Sequence, residues 1–155
     1  MRKLIAAALL STVSLAALAP ASAQTPAPAP TAAAALPRTP APAGAELYII
    51  SPKDGAVVHN PVLVQFGLKG MGIAPAGIKF DNTGHHHLLI DTDPPADAGA
   101  PLPATDKIVH FGKGQTETTL NLTPGKHTLQ LLLADLNHVP HSPPVTSRQI
   151  TITVK

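Results

Sequence analysis

The stretch Asn82-Thr83-Gly84-His85-His86-His87-Leu88-Leu89-Ile90-Asp91 decides the fold of this chain. It is typical of a turn, Asn-Thr-Gly, that leads into a buried β-strand, because a turn triplet precedes a short apolar run. Side chains of a strand alternate between its two faces, so His85 and His87 share one face and His86 lies on the other. The face of His85 and His87 is therefore a candidate edge of a metal site.

The first 44 residues have the composition of a leader and a linker. Residues 1–23 have a basic start, an apolar run too short to cross a bilayer and a final Ala-Ser-Ala, which together indicate a secretory signal peptide. Residues 24–44 are almost entirely Ala, Pro and Thr and predict a disordered, exposed tether. We therefore expect residues 45–155 to form a single domain of a periplasmic or secreted protein.

Charge and composition exclude several classes of partner. Without its signal peptide the chain keeps nine basic and nine acidic residues, and it has only four aromatic residues, so no nucleic acid partner is predicted. The absence of cysteine excludes disulfides and thiolate ligands. No apolar stretch after residue 23 approaches the length of a transmembrane helix. The sequence leaves the oligomeric state open.

Seven short alternating segments separated by Gly and Pro turns predict an all-β fold. No segment has the period of an amphipathic helix, and an immunoglobulin-like or fibronectin-III-like antiparallel β-sandwich accommodates about seven such strands. Its predicted core contains Val64, Phe66, Leu120, Leu129, Leu131, Ile150 and Ile152. The predicted strands are residues 46–50, 62–68, 85–91, 107–111, 115–122, 127–135 and 147–154.

This topology brings most of the eight histidines to one pole of the sandwich. Successive strands run up and down, so the loops after the second, fourth and sixth strands gather at one end. Proline-rich backbone favours polyproline II, with about 3 residues per turn, so His138 and His141 are expected to face the same way. The candidate metal ligands are His85, His87, His110, His138 and His141.

Imidazole clusters without thiolate suit Cu(II) or Zn(II). Asp81 and Asp135 are carboxylates expected near the same pole. They are candidates either for further metal ligands or for acceptors of hydrogen bonds from imidazole N–H groups. Because ligand imidazoles must be neutral, metal affinity is expected to fall below roughly pH 6. The alternative is a hydrogen-bonded histidine cluster that fastens the loop of His138 as a pH-sensitive latch.

Other histidines have structural interpretations. His86 shares a face with apolar residues and is a candidate core histidine, and His59 is expected in a solvated turn. The segment Leu122-Thr123-Pro124-Gly125-Lys126-His127 resembles the corner of fibronectin type III sandwiches where a tyrosine bonds back to the backbone. His127 occupies roughly the place of that tyrosine.

The sequence favours a binding protein over an enzyme. It has no cysteine and no Gly-x-Ser-x-Gly elbow, and its carboxylates are scattered over turns, so nucleophilic hydrolases and glycosidases lack support. A three-histidine zinc hydrolase stays open, although no general acid or base stands out. The other class is a cell-envelope interaction module that binds a protein or glycan, with the histidines serving only as the latch.

Five stretches of the chain carry a family resemblance: residues 67–77, 82–91, 110–117, 124–133 and 138–145. Among them are the tri-histidine strand and His110-Phe111-Gly112-Lys113-Gly114. Together they resemble a bacterial family, domain of unknown function 4399, over about residues 46–154. The resemblance implies a small exported β domain and carries no established activity.

Overall fold

The computed structural model describes residues 36–155, and the predicted signal peptide and residues 24–35 of the predicted tether lie outside them. The described residues form no helix and hence none that could span a membrane. They contain nine strands: β1 Glu46–Ser51, β2 Val57–Val58, β3 Val62–Lys69, β4 Gly72–Ile73, β5 Thr83–Ile90, β6 Ile108–His110, β7 Glu117–Leu120, β8 Gly125–Ala134 and β9 Ile150–Val154.

The strands form two sheets. One has the order β1-β3-β7, and the other has the order β2-β9-β8-β5-β4, with β6 also paired to β5. The predicted all-β sandwich is thereby confirmed, whereas its immunoglobulin-like subclass stays a prediction. The two-residue strands β2 and β4, which pair in parallel with β9 and β5, were not among the seven predicted strands.

The main core lies between the sheets and follows the predicted alternation. Leu129, Leu131 and Leu133 of β8 are buried against Val64 and Phe66 of β3. Of the seven predicted core residues only Leu120 differs, because it lies on the edge strand β7 and is only partly buried.

The central strand β5 is buried on both faces, which explains its almost unbroken apolar and histidine sequence. Leu88 and Ile90 face the main core. On the opposite face Leu89 packs with Leu102, Ile108, Leu132 and Ala134 in a second, smaller core. The long loop between β5 and β6 supplies Leu102 and so covers the outer face of the six-stranded sheet.

Gly84 permits the close pairing of β5 with β8. A Cβ atom at this position would lie 2.6 Å from the Ala134 carbonyl oxygen and 2.9 Å from Cε1 of His141. The first of these atoms belongs to backbone, so a side chain would push the two strands apart. The glycine of the turn triplet is thus required by packing at the start of β5.

Candidate metal centre

Four histidines meet on the outer face of the six-stranded sheet. Each offers a ring nitrogen, and these four nitrogens all lie within 4.8 Å of one another. Their ring centroids are 4.8–6.1 Å apart. The cluster, which we call the four-histidine cluster, consists of His85, His87, His110 and His138.

Strand pairing positions three of the four rings. His85 and His87 lie on the same face of β5, as the two-residue period requires. His110 is the direct partner of His87 in the antiparallel pairing of β5 with β6. The structure therefore brings these three predicted residues together through sheet register.

His138 reaches the cluster from the loop that follows β8. Its Nδ1 lies 3.2 Å from Nε2 of His85. His138 has φ 65°, a left-handed conformation that a non-glycine residue adopts only where its surroundings impose it. Its place therefore depends on the loop and not on a regular strand.

Three buried ring nitrogens of β5 have no hydrogen-bond partner among the described residues. His85, His86 and His87 are each 1 % exposed, and the unpartnered atoms are Nδ1 of His85, Nε2 of His86 and Nδ1 of His87. Leaving a buried polar atom without a partner costs about 1–3 kcal/mol. Each of these rings therefore keeps one nitrogen that no hydrogen bond among the described residues occupies.

Burial keeps these imidazoles neutral. Burial, followed by repulsion from His138 and His110, lowers the pKa of His85 to about 4. Burial and the neighbouring imidazoles lower the pKa of His87 to about 3. The pKa of His110 is also lowered, chiefly by burial. Neutral imidazole is the form that binds a metal, so these rings need lose no proton at neutral pH.

The spacing of the ring nitrogens is close to that of a coordinated ion. A tetrahedral Zn site with Zn–N bonds of about 2.0–2.1 Å separates its ligand nitrogens by about 3.4 Å. The 3.2 Å between His85 Nε2 and His138 Nδ1 is close to this value, and a pair at the 4.8 Å limit would have to move about 1.4 Å closer. Four nitrogen donors suit Zn(II) in a tetrahedron or Cu(II) in a tetragonal arrangement.

His141, the fifth predicted ligand, does not join the cluster. Its ring is fully buried, with Nε2 3.2 Å from the Thr83 carbonyl oxygen and Nδ1 3.5 Å from that of Leu133. The expectation that His138 and His141 face the same way is wrong, because the left-handed turn at His138 replaces polyproline II. His141 instead fastens its loop to the start of β5.

Asp135 shapes the loop that carries His138. Its carboxylate is buried, and Oδ1 accepts hydrogen bonds from the amides of Asn137 and Val139 at 2.9 and 3.0 Å. Both carboxylate oxygens are engaged, because Oδ2 accepts the hydroxyl of Thr39 at 2.7 Å. Asp135 therefore supports the cluster, whereas Asp81 is exposed and outside it.

The remaining histidines have structural roles, as predicted. The ring of His86 packs 5.0 Å from that of Phe66, and its Nδ1 lies 3.1 Å from the Gln115 carbonyl oxygen. His127 Nε2 lies 2.8 Å from the Thr123 carbonyl oxygen, which is the corner contact predicted for it. His59 is exposed, with Nδ1 3.3 Å from the Lys155 carbonyl oxygen.

Two supporting elements were missed by sequence reasoning. Leu102, which is not among the predicted core residues, is buried, and its amide donates to the His138 carbonyl oxygen at 2.9 Å. Its apolar side chain among prolines was the available signal. The last part of the predicted tether, residues 38–41, contacts the loop of His138, and no sequence pattern indicated this.

An open pocket of about 320 Å³ lies next to the cluster. Thr39, His85 and Asp135 belong to its lining. The β4–β5 connection supplies Ile78 and Phe80, which also line it and are 54 % and 73 % exposed. The pocket thus combines an apolar rim with residues of the cluster and its support.

Comparison with protein families matches the sequence profile of a domain of unknown function, DUF4399, to residues 64–155. The matched range contains the whole four-histidine cluster, His141 and the loop that carries Asp135. No curated protein and no solved structure matches the chain. The resemblance found in the sequence motifs is confirmed over the matched range, and the chain belongs to the DUF4399 family.

Proposed function

We propose that this protein is an exported, non-catalytic binder of a divalent transition metal, Cu(II) or Zn(II), through the four-histidine cluster. The observation that carries the proposal is the convergence of four imidazole rings, each of which offers a nitrogen within 4.8 Å of the other three. An ion at the centre of the cluster would be bound by one ring nitrogen of each histidine. A carboxylate, Asp135, lies close enough to attract positive charge at His85.

Cu(II) is expected to bind more tightly than Zn(II). Affinities of nitrogen sites for divalent metals rise to Cu(II) and fall again at Zn(II). The chain offers no thiolate, and Met71 is its only methionine outside the predicted signal peptide, so the donor set is not one for Cu(I). Imidazole donors also suit an oxidising compartment, where the predicted signal peptide would take the chain.

A second candidate is the hydrogen-bonded latch in an envelope interaction module. One observation that favours it is the 3.2 Å contact of His85 with His138, because two imidazoles at this distance form a hydrogen bond and need no metal. The other is the exposed apolar rim of Ile78 and Phe80, which a partner could cover. The latch accounts for the contact of His85 with His138 and gives no reason for the rings of His87 and His110 to converge on the same point. We therefore prefer the metal site.

Calorimetric titration of the untagged mature protein with Zn(II) and Cu(II) at pH 7.5 decides between the two. We expect one ion per chain in the wild type, no binding above background in His85→Ala/His87→Ala, and unchanged binding in His59→Ala. His59 is the matched control because its ring is exposed and outside the cluster. Absence of binding in the wild type, or equal binding in the double variant, would leave the latch.

Export is tested separately on the N-terminus. Cleavage after Ala23 would leave Gln24 as the first residue of the protein isolated from its source. Mass spectrometry of that protein should therefore show the loss of residues 1–23. An intact N-terminus would remove the assignment to the periplasm or exterior without affecting the metal site.

A further inference from the structure

Residues 38–41, which we call the strap, run alongside the loop that carries His138. Pro40 pairs in parallel with Ser142, with the Ala41 amide donating to the Ser142 carbonyl oxygen and the Ser142 amide donating to that of Thr39, both at 2.9 Å. Arg38 adds a hydrogen bond of 3.0 Å from Nε to the Pro140 carbonyl oxygen. The strap therefore satisfies backbone groups that this loop exposes.

The side chain of Thr39 reaches the centre of the loop. Its hydroxyl donates to Oδ2 of Asp135 at 2.7 Å, while Oδ1 of the same carboxylate accepts the amides of Asn137 and Val139. Thr39 thus fixes the carboxylate plane around which the turn is built. Charge-assisted hydrogen bonds of this kind are stronger than those between neutral groups.

This turn sets the position of the His138 ring. The His138 amide donates to the Asp135 carbonyl oxygen at 3.0 Å, and the His138 carbonyl oxygen accepts the Leu102 amide at 2.9 Å. His138 is also the one member of the cluster that lies outside a strand. It is therefore the ligand whose position a change in the loop would alter.

We infer that Thr39 and Arg38 of the strap are positioning residues for metal binding, acting through Asp135 and the loop of His138. The inference rests on the proposed function. It also predicts a reciprocal effect: if the attached strap favours metal binding, bound metal must favour attachment of the strap by the same free energy.

The first test measures affinity in the full mature chain. Thr39→Val removes the hydroxyl and keeps the side-chain shape, and Thr39→Ser restores the hydroxyl. We expect Thr39→Val to weaken Cu(II) and Zn(II) binding about 10–100-fold, as loss of a group that orients a ligand commonly does. Thr39→Ser should recover the wild-type affinity, and Thr119→Val, on the exposed side of β7, should not change it.

A spectroscopic readout separates positioning from general destabilisation. The Cu(II) electron paramagnetic resonance spectrum of Thr39→Val should shift toward that of His138→Ala, because both lose the nitrogen of His138. Arg38→Gln is the second variant, since it removes contacts to the Pro140 and His141 carbonyl oxygens and leaves Asp135 untouched. It should shift the spectrum in the same direction by a smaller amount.

The reciprocal effect is measured by trypsin, which cuts after Arg38. Saturating Zn(II) should slow cleavage of the Arg38–Thr39 bond, while cleavage at Lys53, in an exposed turn outside the cluster, serves as the internal control. The inference would be overturned if Thr39→Val kept the wild-type metal affinity and spectrum. It would also be overturned if Zn(II) left the rate of cleavage after Arg38 unchanged. A wild type that binds no metal would instead overturn the proposed function, and the inference with it.

Discussion

The carboxylate of Asp91 lies 2.7 Å from Nδ1 of His127, joining the end of β5 to the start of β8. The hydrogen bond that the His127 ring donates to the Asp91 carboxylate is the main cause that raises the pKa of His127. Burial alone would raise the pKa of Asp91, but hydrogen bonds from His127 and from the Thr128 amide outweigh it and lower that pKa. Each group therefore favours the charged form of the other.

The pair predicts a pH window for stability. A raised pKa means that the contribution of His127 is complete below its ordinary value of 6.5 and is lost as pH rises through the folded-state value. The lowered pKa of Asp91 means that its contribution is present above 3.8 and is lost as pH falls through the folded-state value. The pair should stabilise the fold most between about pH 4 and 6.5.

Asp91→Asn should therefore flatten the decline of stability between pH 6 and 9. Urea unfolding at a series of pH values measures this, with Asp106→Asn as the control because Asp106 is an exposed aspartate. An identical slope in wild type and Asp91→Asn would show that the raised pKa of His127 has another origin.

Leu131→Ala should lower the free energy of unfolding by about 2–5 kcal/mol, the usual range for a fully buried leucine. Leu131 has no exposed surface and lies in the core between the sheets. Leu63→Ala, on the same main sandwich but 46 % exposed, is the control and should cost much less. Chemical denaturation of both variants gives the comparison, and equal losses would contradict the assignment of faces.

The strands could be predicted because each one shows its environment in its sequence. The alternation of β3 and β9 marks one buried face, and the nearly continuous β5 marks burial on both. The shared face of His85 and His87 follows from the same two-residue period. The direct pairing of His87 with His110 depends on β6 joining β5, which the order of strands along the chain does not specify.

The loop of His138 could not be predicted, because side-chain hydrogen bonds override local backbone preference there. Prolines in this loop favour polyproline II, but the carboxylate of Asp135 binds two amides of its own turn and imposes a positive φ on His138. The ordered structure of the strap could not be predicted for a related reason. Its composition is that of a linker, and its order comes from hydrogen bonds to the loop.

Metal binding should persist to lower pH than ordinary histidines allow. The pKa of His85 is lowered to about 4 and that of His87 to about 3, so both stay neutral where free imidazole would be protonated. Binding at pH 6 is therefore expected to release fewer than two protons per ion. Calorimetry in buffers of different ionisation enthalpy counts these protons, and release of two or more would show that the cluster opens to solvent before it binds.

Gly112→Ala tests the fourth ligand without changing a histidine. A Cβ atom at this position would collide with Cε1 and Nε2 of His110 and would lie 3.2 Å from Cβ of Ala76. Because the atoms it meets are the end of a side chain, the His110 ring can rotate away, and the free energy of unfolding should change by less than about 1 kcal/mol.

The cost of Gly112→Ala should appear in metal affinity instead. With His110 displaced, we expect binding of Cu(II) and Zn(II) to weaken about 10–100-fold, approaching the affinity of His110→Ala. Lys113→Ala, in the same turn, is the control because the Lys113 side chain is exposed. Calorimetric titration and thermal unfolding of the same samples separate the two effects. Wild-type affinity in Gly112→Ala with the fold intact would reduce the centre to the three nitrogens of His85, His87 and His138.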